Sequence, residues 1–346
     1  MGSEDRKKVK VGILGSGSWG TALANLLANN GNNVSLWDVD KQLLKVLADE
    51  RENTKYLPGL KLHDLISIAD TREECVADAD FVVMAVPTQH FRSALSEALP
   101  NMKKELIIVN VAKGIELGTL KTISMIAEEI APELRFVVLS GPSHAEEVAK
   151  GIPTTVCAAS KDMKTAEEVQ DLFMSDRFRV YTQSDVLGVE LGGALKNIIA
   201  LGAGITDGMG LGDNTKAALM TRGMTEMARL GEGMGAKRET FYGLSGMGDL
   251  IVTCTSVHSR NRNCGFMIGE GVDPKDAIER VGMVVEGIPT AEATRELSKN
   301  LKIEMPITEA ICQIVSGEVS PEAALTALMT RSKKHEQEVL LTYGRD

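Results

Sequence analysis

Gly15-Ser16-Gly17-Ser18-Trp19-Gly20 follows an apolar run over residues 9–14 and opens a helical pattern over residues 21–29. A G-x-G-x-x-G between a strand and a helix is the arrangement that cradles a dinucleotide pyrophosphate. Gly15 permits the tight turn, Gly17 lets the backbone approach the phosphates, and Gly20 lets the helix lie close on the sheet. The amides at the helix start then face the anion, where the helix dipole favours it. The next strand-like run ends at Trp37-Asp38. An acidic side chain there accepts the ribose hydroxyls and repels a 2′-phosphate, which favours NAD over NADP. Asp40 stands close enough to be the acceptor instead.

Three ionisable residues further along could carry out chemistry. Lys113 comes just after the apolar run 106–111, either as a solvated strand end or as a group on the ligand-binding edge. Lys196 lies in the helical stretch 189–199, whose only other charge is Glu190. A lysine on so apolar a helix either reaches out to water or serves a site. Partial burial would lower its pKa, as general acid and base work at neutral pH requires. Asp249 separates the glycine-rich turn 243–248 from an apolar run, as a plain helix N-cap or as a functional carboxylate. Ser259-Arg260-Asn261-Arg262-Asn263 then offers two guanidiniums, a hydroxyl and two amides, which suits a phosphate or a solvated polar loop.

The elements that must position these groups change character along the chain. Residues 9–14, 34–37, 66–69, 81–86, 106–111, 136–139, 154–158 and 178–181 read as strands. Helical patterns at 21–29, 40–50, 91–99, 119–130 and 166–174 fall between most of them. Such alternation implies crossover connections and an α/β, Rossmann-type doubly wound, mostly parallel sheet. Ligands of such sheets lie outside the carboxyl ends of the strands. Ala85-Val86-Pro87, Val111-Ala112-Lys113-Gly114 and Ser140-Gly141-Pro142-Ser143 should therefore line the nicotinamide and the substrate. Beyond about residue 185 strand-like runs nearly vanish, and an all-α region follows, punctuated by glycine turns and prolines. The expected division is 1–186 for the cofactor domain and 187–346 for an all-helical substrate-binding and catalytic domain.

Composition sets limits on partners. With 346 residues, 43% hydrophobic and 25% charged, the chain is an ordinary globular protein of two domains. Its sixteen methionines read as scattered core filling. The formal net charge of −10 speaks against nucleic acid and anionic membranes. It also means that a phosphate ligand requires cations gathered locally. Five cysteines, odd in number and without C-x-x-C, fit reduced thiols, not a disulfide framework or zinc site. No histidine pairing suggests a metal. The start MGSEDRKKVK shows no signal-peptide core, and no uninterrupted apolar run is long enough to span a bilayer, so a cytoplasmic protein is expected. The Met-Gly start reads as a polar leader or tail, with myristoylation as the alternative. The residues beyond Lys333 read as a helix or a frayed tail.

Taken in order, G-S-G-S-W-G, V-A-K-G-I-E, S-G-P-S-x-A-x-E-V-A, L-K-N, G-D-N-T-K-A, G-x-G-D-L-I-V-T-C, S-R-N-R and V-V-E-G run over nearly the whole chain. The set resembles the NAD(P)-dependent glycerol-3-phosphate dehydrogenases of bacterial type. That resemblance implies interconversion of sn-glycerol 3-phosphate and dihydroxyacetone phosphate, with glycerol 3-phosphate supplied for phospholipid synthesis. It implies NAD, with NADP possible, as cofactor, and a homodimer. It makes Lys196 the group that donates a proton to the C2 oxygen as hydride reaches C2. Asp249 would orient that ammonium, and Lys113 would bind substrate and polarise its carbonyl. Ser259, Arg260 and Asn261 match the substrate-phosphate segment, with Arg260 also reaching the cofactor. Gly141 and Ser143 match substrate contacts, while Ser18, Trp19, Ala145, Val284 and Glu286 match cofactor contacts. Lys113, Lys196, Arg260 and Arg262 would supply the local positive field, and domain closure would assemble the site.

Two residues depart from the family pattern. His144 stands where an aromatic such as Phe is common, as a simple substitution or as a source of pH dependence. Many bacterial members carry Arg or His after the second strand, so Asp38 bears against NADP. Cys254 matches the pattern but is no nucleophile, since hydride transfer needs none. Rival dehydrogenases of the 3-hydroxyacyl-CoA or 6-phosphogluconate type would share the glycine turn but lack S-R-N-R after G-x-G-D-L. A non-catalytic nucleotide sensor would lack the ionisable residues.

Overall fold

The computed structural model describes residues 8–333 and 335–336. The polar start and the last residues, for which a tail or helix was expected, lie largely outside the described residues. Eight strands form one sheet in the order β3-β2-β1-β4-β5-β6-β7-β8. They are β1 (Lys10–Leu14), β2 (Asn33–Trp37), β3 (Ile66–Ile68), β4 (Phe81–Met84), β5 (Ile107–Asn110), β6 (Arg135–Ser140), β7 (Thr154–Ala159) and β8 (Phe178–Gln183). All pairings are parallel except β6 with β7. Each strand expected from apolar runs is present, with ends shifted by a residue or two.

The helices of this half are α1 (Ser18–Asn29), α2 (Lys41–Glu50), α3 (Arg72–Ala77), α4 (Thr88–Ala98), α5 (Ile123–Ile130), α6 (Ala145–Ala149) and α7 (Met163–Phe173). They cover both faces of the sheet, so its central strands are apolar on both sides. Val11, Ile13, Val83 and Val109 pack to one side, and Leu14, Val82, Met84 and Ile108 to the other. Two helices, α3 and α6, escape the periodic reading because they are too short to repeat an apolar stripe.

After β8 every described element is helical: α8 (Val186–Gly208), α9 (Gly212–Met234), α10 (Asp249–Thr255), α11 (Arg260–Gly269), α12 (Pro274–Val281), α13 (Gly287–Leu301), α14 (Pro306–Val315) and α15 (Pro321–Met329). A π-helical turn, Leu244–Gly248, leads straight into α10. Helix α8 is buried on all sides, with α9, α10, α11, α13 and α14 packed around it. By length and mean composition α8 could cross a bilayer, although Glu190, Lys196 and Asp207 interrupt its apolar run, and nearly all of it is buried in the protein. That is the place of a core helix.

The two halves interlock. Val186 and Val189 of α8 pack on Val138, Cys157 and Ala159 of the sheet. Ile115, from the loop after β5, is buried in the helical core. The carboxylate of Glu190 in α8 accepts from the Ser124 backbone N–H at 2.7 Å and from its hydroxyl at 2.5 Å.

Candidate active site

The turn after β1 has the shape that its glycines predict. Gly15 adopts φ +105°, and a Cβ there would sit 2.5 Å from the Ala85 carbonyl oxygen. A Cβ on Gly20 would sit 1.9 Å from the Gly15 oxygen, so only glycine lets α1 approach this closely. A Cβ on Gly17 would meet nothing within 4 Å. Nothing within the chain therefore requires a glycine at position 17, and the α1 N-terminus has no side-chain cap. Asn53, which sequence reasoning missed, is buried and buttresses the turn, donating to the Ser16 carbonyl at 2.7 Å and to Thr21 Oγ1 at 2.8 Å. It lies in a loop with no periodic signal. Ser18 Oγ donates to the Tyr56 carbonyl at 2.7 Å, and Trp19 packs in a small cluster with Ala22, Leu57 and Ala145.

Asp38 stands at the end of β2. Its Oδ2 accepts from the Ser16 N–H at 2.6 Å and its Oδ1 from the Asp40 N–H at 3.0 Å. Asp40 is committed elsewhere: it caps α2 through the Gln42 and Leu43 N–H groups and pairs with Lys55. Of the two, Asp38 is the carboxylate that faces the glycine turn after β1. At the neighbouring strand ends, the buried hydroxyls of Thr88 and Ser140 have no hydrogen-bond partner. The open space at Gly17, the uncapped helix start and these two hydroxyls fit a nicotinamide dinucleotide lying along the carboxyl edge of the sheet.

Across this edge sits an ionic centre. Lys113 Nζ lies 2.6 Å from Asp249 Oδ2 and 3.1 Å from the Gly141 carbonyl oxygen. Lys196 Nζ donates to Asp249 Oδ1 and, at 2.7 Å, to Thr253 Oγ1. Asp249 is 1% exposed and Lys196 6%. Neither a plain helix cap nor a solvated lysine describes these residues. Gly248, not Asp249, occupies the cap position of α10, and the Asp249 carboxylate turns inward. Lys196 does not reach out to water.

Glycines bring these elements together. A Cβ on Gly192 would sit 2.7 Å from the Ser245 oxygen, and one on Gly193 would sit 2.8 Å from Ser140 Oγ and 3.3 Å from Lys113 Cγ. Helix α8 thus slides under both the Lys113 loop and the π-turn. Thr253, one helical turn after Asp249, shares its face and was not singled out by the sequence reading.

The electrostatics follow from burial and charge. Burial pulls the Lys196 ammonium down to about 8, with Lys113 adding to the effect and Asp249 opposing it. Burial pushes Asp249 up, but the charges of Lys113 and Lys196 outweigh it and hold the carboxyl below its ordinary value. Two ammoniums against one carboxylate leave the centre positive in a chain of net charge −10. The Cys254 thiol is fully buried and pushed up to about 12, so no thiolate is available there.

The Ser259–Asn263 cluster divides into different tasks. Ser259 caps α11 by accepting from the Arg262 N–H at 3.2 Å. Asn261 is buried, donating to Asn197 Oδ1 at 2.9 Å and accepting from the Gly287 N–H at 2.8 Å. Arg260 is exposed, and its charge acts on Glu286. Arg262 does not join the local field that was expected of it, because Asp207 holds its Nε at 2.9 Å. The positive groups of the buried centre are Lys113 and Lys196.

The remaining candidates lie on the segments that follow β6 and precede α13. Gly141 adopts φ +142°, and Ser143 Oγ donates to its carbonyl at 2.9 Å. Val284 is exposed, while Glu286 is largely buried, raised in pKa by that burial, and accepts from the Thr88 N–H at 3.1 Å. The His144 ring lies 6.0 Å from that of His258 across the junction. Burial and the nearby Lys196 lower its pKa. Among the described residues no group of three or more His, Cys, Asp and Glu is arranged to hold a metal.

Fold and site together define a nicotinamide-nucleotide dehydrogenase with an all-helical second half. Comparison with known proteins narrows this. Residues 10–166 match the NAD-dependent glycerol-3-phosphate dehydrogenase N-terminus, and residues 185–326 match the C-terminus of the same family. The chain belongs to that family. It is 53% identical over 335 residues to glycerol-3-phosphate dehydrogenase [NAD(P)+] of Bacillus subtilis, covering 96% of this chain and 97% of the relative. A relative of the same name from Clostridium perfringens is 51% identical over 328 residues, covering 95% and 99%. Among solved structures, glycerol-3-phosphate dehydrogenase from Coxiella burnetii superposes with a TM-score of 0.91 at 36% identity, covering 94% of this chain and 99% of that one.

Proposed function

We propose that this chain catalyses the NAD(P)-dependent interconversion of sn-glycerol 3-phosphate and dihydroxyacetone phosphate. The observation that carries the reading is the buried Lys113–Asp249–Lys196 centre at the carboxyl edge of a dinucleotide-binding sheet. A bound nicotinamide supplies or accepts the hydride at C2. Lys196, pulled down to about 8, gives its proton to the C2 oxygen during reduction and takes it back during oxidation. Asp249 holds Lys196 and Lys113 at fixed positions, and Lys113 stabilises negative charge developing on the carbonyl oxygen. Arg260 takes the substrate phosphate, with Ser259 and Asn261 holding the start of α11 in place. Gly15, Gly17, Ser18, Trp19, Gly20, Asp38, Ala145, Val284 and Glu286 form the cofactor side, and Gly141 and Ser143 the substrate side.

The expectation of domain closure takes a milder form. Lys113 already meets Asp249, Glu286 already meets Thr88, and Ile115 is already seated in the helical core. These contacts support a site assembled before substrate arrives, with little closure left to make. The working division is residues 1–186 for cofactor and 187–346 for substrate, in a cytoplasmic homodimer that supplies glycerol 3-phosphate for phospholipid synthesis. Oxidation of NADH and NADPH in parallel, with dihydroxyacetone phosphate and with acetoacetyl-CoA, tests the reading. Turnover with the triose phosphate is expected, faster with NADH because of Asp38. Turnover with acetoacetyl-CoA alone would overturn it.

A further inference from the structure

Arg262 belongs to a second ion cluster, distinct in its members from the Lys113–Asp249–Lys196 centre. Asp207 Oδ2 receives Arg262 Nη2 at 2.7 Å and Nε at 2.9 Å, while its Oδ1 lies 2.6 Å from Lys216 Nζ. The three side chains come from α8, α11 and α9, and all are mostly buried. Asp207 sits in the last turn of α8, where the helix carbonyls already disfavour a carboxylate. The two cations offset that cost, so the cluster holds three helix segments together.

The same two helices meet backbone to backbone. Cβ atoms on Gly204 and Gly208 of α8 would lie 2.0 Å and 2.1 Å from the carbonyl oxygens of Arg262 and Phe266. On α11, Cβ atoms at Gly265 and Gly269 would lie 2.0 Å and 2.3 Å from those of Leu201 and Ile205. At the near end, Asn261 donates to Asn197. These approaches set how closely α11 lies on α8, and the polar contacts of Asn261 and Arg262 hold its first turn. Lys196 and Asp207 are about three turns apart on one face of α8, roughly 16 Å along its axis. One helix thus carries the proton-transferring ammonium at one point and anchors the first turn of the phosphate-binding helix at another.

We propose that Asp207 is a positioning residue, which through Arg262 and Lys216 fixes the distance between Lys196 and Arg260 and so selects a substrate whose phosphate lies one carbon from the reacting carbonyl. The proposal rests on the reading of Arg260 as the phosphate-binding guanidinium. An asparagine at position 207 keeps one acceptor but turns an amide donor toward one of the two cations. The first turn of α11 then loses a fixed anchor while Lys196, Asp249 and Lys113 are untouched.

The test is steady-state kinetics of Asp207→Asn with dihydroxyacetone phosphate and with unphosphorylated dihydroxyacetone, beside Arg260→Ala and Asp207→Glu. The expected result for Asp207→Asn is a KM for dihydroxyacetone phosphate raised about ten-fold, with kcat within about two-fold. The KM for NADH and the kcat/KM for dihydroxyacetone stay unchanged, and Asp207→Glu recovers part of the loss. A purely structural role predicts instead a lower Tm and a lower active fraction, with kcat falling for both substrates and KM constant; that result overturns the proposal. An unchanged KM in Asp207→Asn alongside a raised one in Arg260→Ala also overturns it. An unchanged KM in Arg260→Ala overturns the phosphate assignment itself.

Discussion

The sheet half and the helical half build their parts of the site by opposite means. In the sheet half, the proposed cofactor cradle is mostly backbone amides and glycine-shaped space in a turn of consecutive residues, with Lys113 the one ammonium that this half adds to the ionic centre. In the helical half the groups are buried charges whose partners come from distant segments: Asp249 meets Lys113 across 136 residues and Lys196 across 53. A backbone cradle depends on shape and tolerates isolated changes at its rim. A buried charge centre depends on balance, so removing one member exposes the others to the full penalty of burial.

The largest effect is expected at Asp249. Asp249→Asn leaves Lys113 and Lys196 facing each other in a buried pocket without a counter-charge. Loss of turnover by at least about a hundred-fold is expected, with destabilisation of about 3–5 kcal/mol in chemical denaturation. Wild-type stability in that variant would show that the charges are already relieved by solvent.

In the sheet half, two glycines of the same turn should respond differently to a methyl group. Gly20→Ala places a methyl 1.9 Å from the Gly15 oxygen and should lower both Tm and NADH affinity. Gly17→Ala enters open space, so Tm should hold while the KM for NADH rises about ten-fold or more. Equal loss of stability in the two variants would mean that Gly17 serves the fold and not the ligand.

The pH dependence follows from Lys196. The acid form needed for reduction is lost as pH rises through about 8, and the base form needed for oxidation is gained over the same interval. Rates for the two directions, measured from pH 6 to 10, should cross in that region. Parallel profiles would remove Lys196 from proton transfer.

The smallest effect belongs to Glu190. Burial raises its carboxyl to about 7, above its unfolded value of 4.5, so the stability it contributes is full at acid pH and lost as pH rises through about 7. Glu190→Gln removes this dependence, and Tm should decline less between pH 5 and 8 than in the wild type, by about 2–4 °C. An identical decline would place the titration elsewhere.

This division also explains what could be read from the sequence. The eight strands were visible because central strands of a covered sheet are apolar runs, and Gly15, Gly17 and Gly20 because their spacing is a mechanical requirement. Lys113, Lys196 and Asp249 could be singled out as anomalies, an ammonium or carboxylate in apolar surroundings. Their meeting was not visible, because it depends on Gly192 and Gly193 letting α8 pass beneath two loops. By composition the Ser259–Asn263 cluster suits a phosphate or a solvated polar loop, taken as a whole. Composition alone carries no signal that Arg262 belongs to Asp207 and Asn261 to Asn197, and only the crossing of α8 and α11 separates them from Arg260.

The central claim is that Lys196 transfers the proton in a site whose cofactor side stands independently of it. Single-turnover reduction of dihydroxyacetone phosphate by the Lys196→Ala variant, with NADH binding followed by fluorescence on the same sample, tests this most directly. The account predicts NADH affinity within about two-fold of the wild type and a reduction rate lower by about 100–10,000-fold. Reduction at a near-normal rate with NADH bound would contradict it.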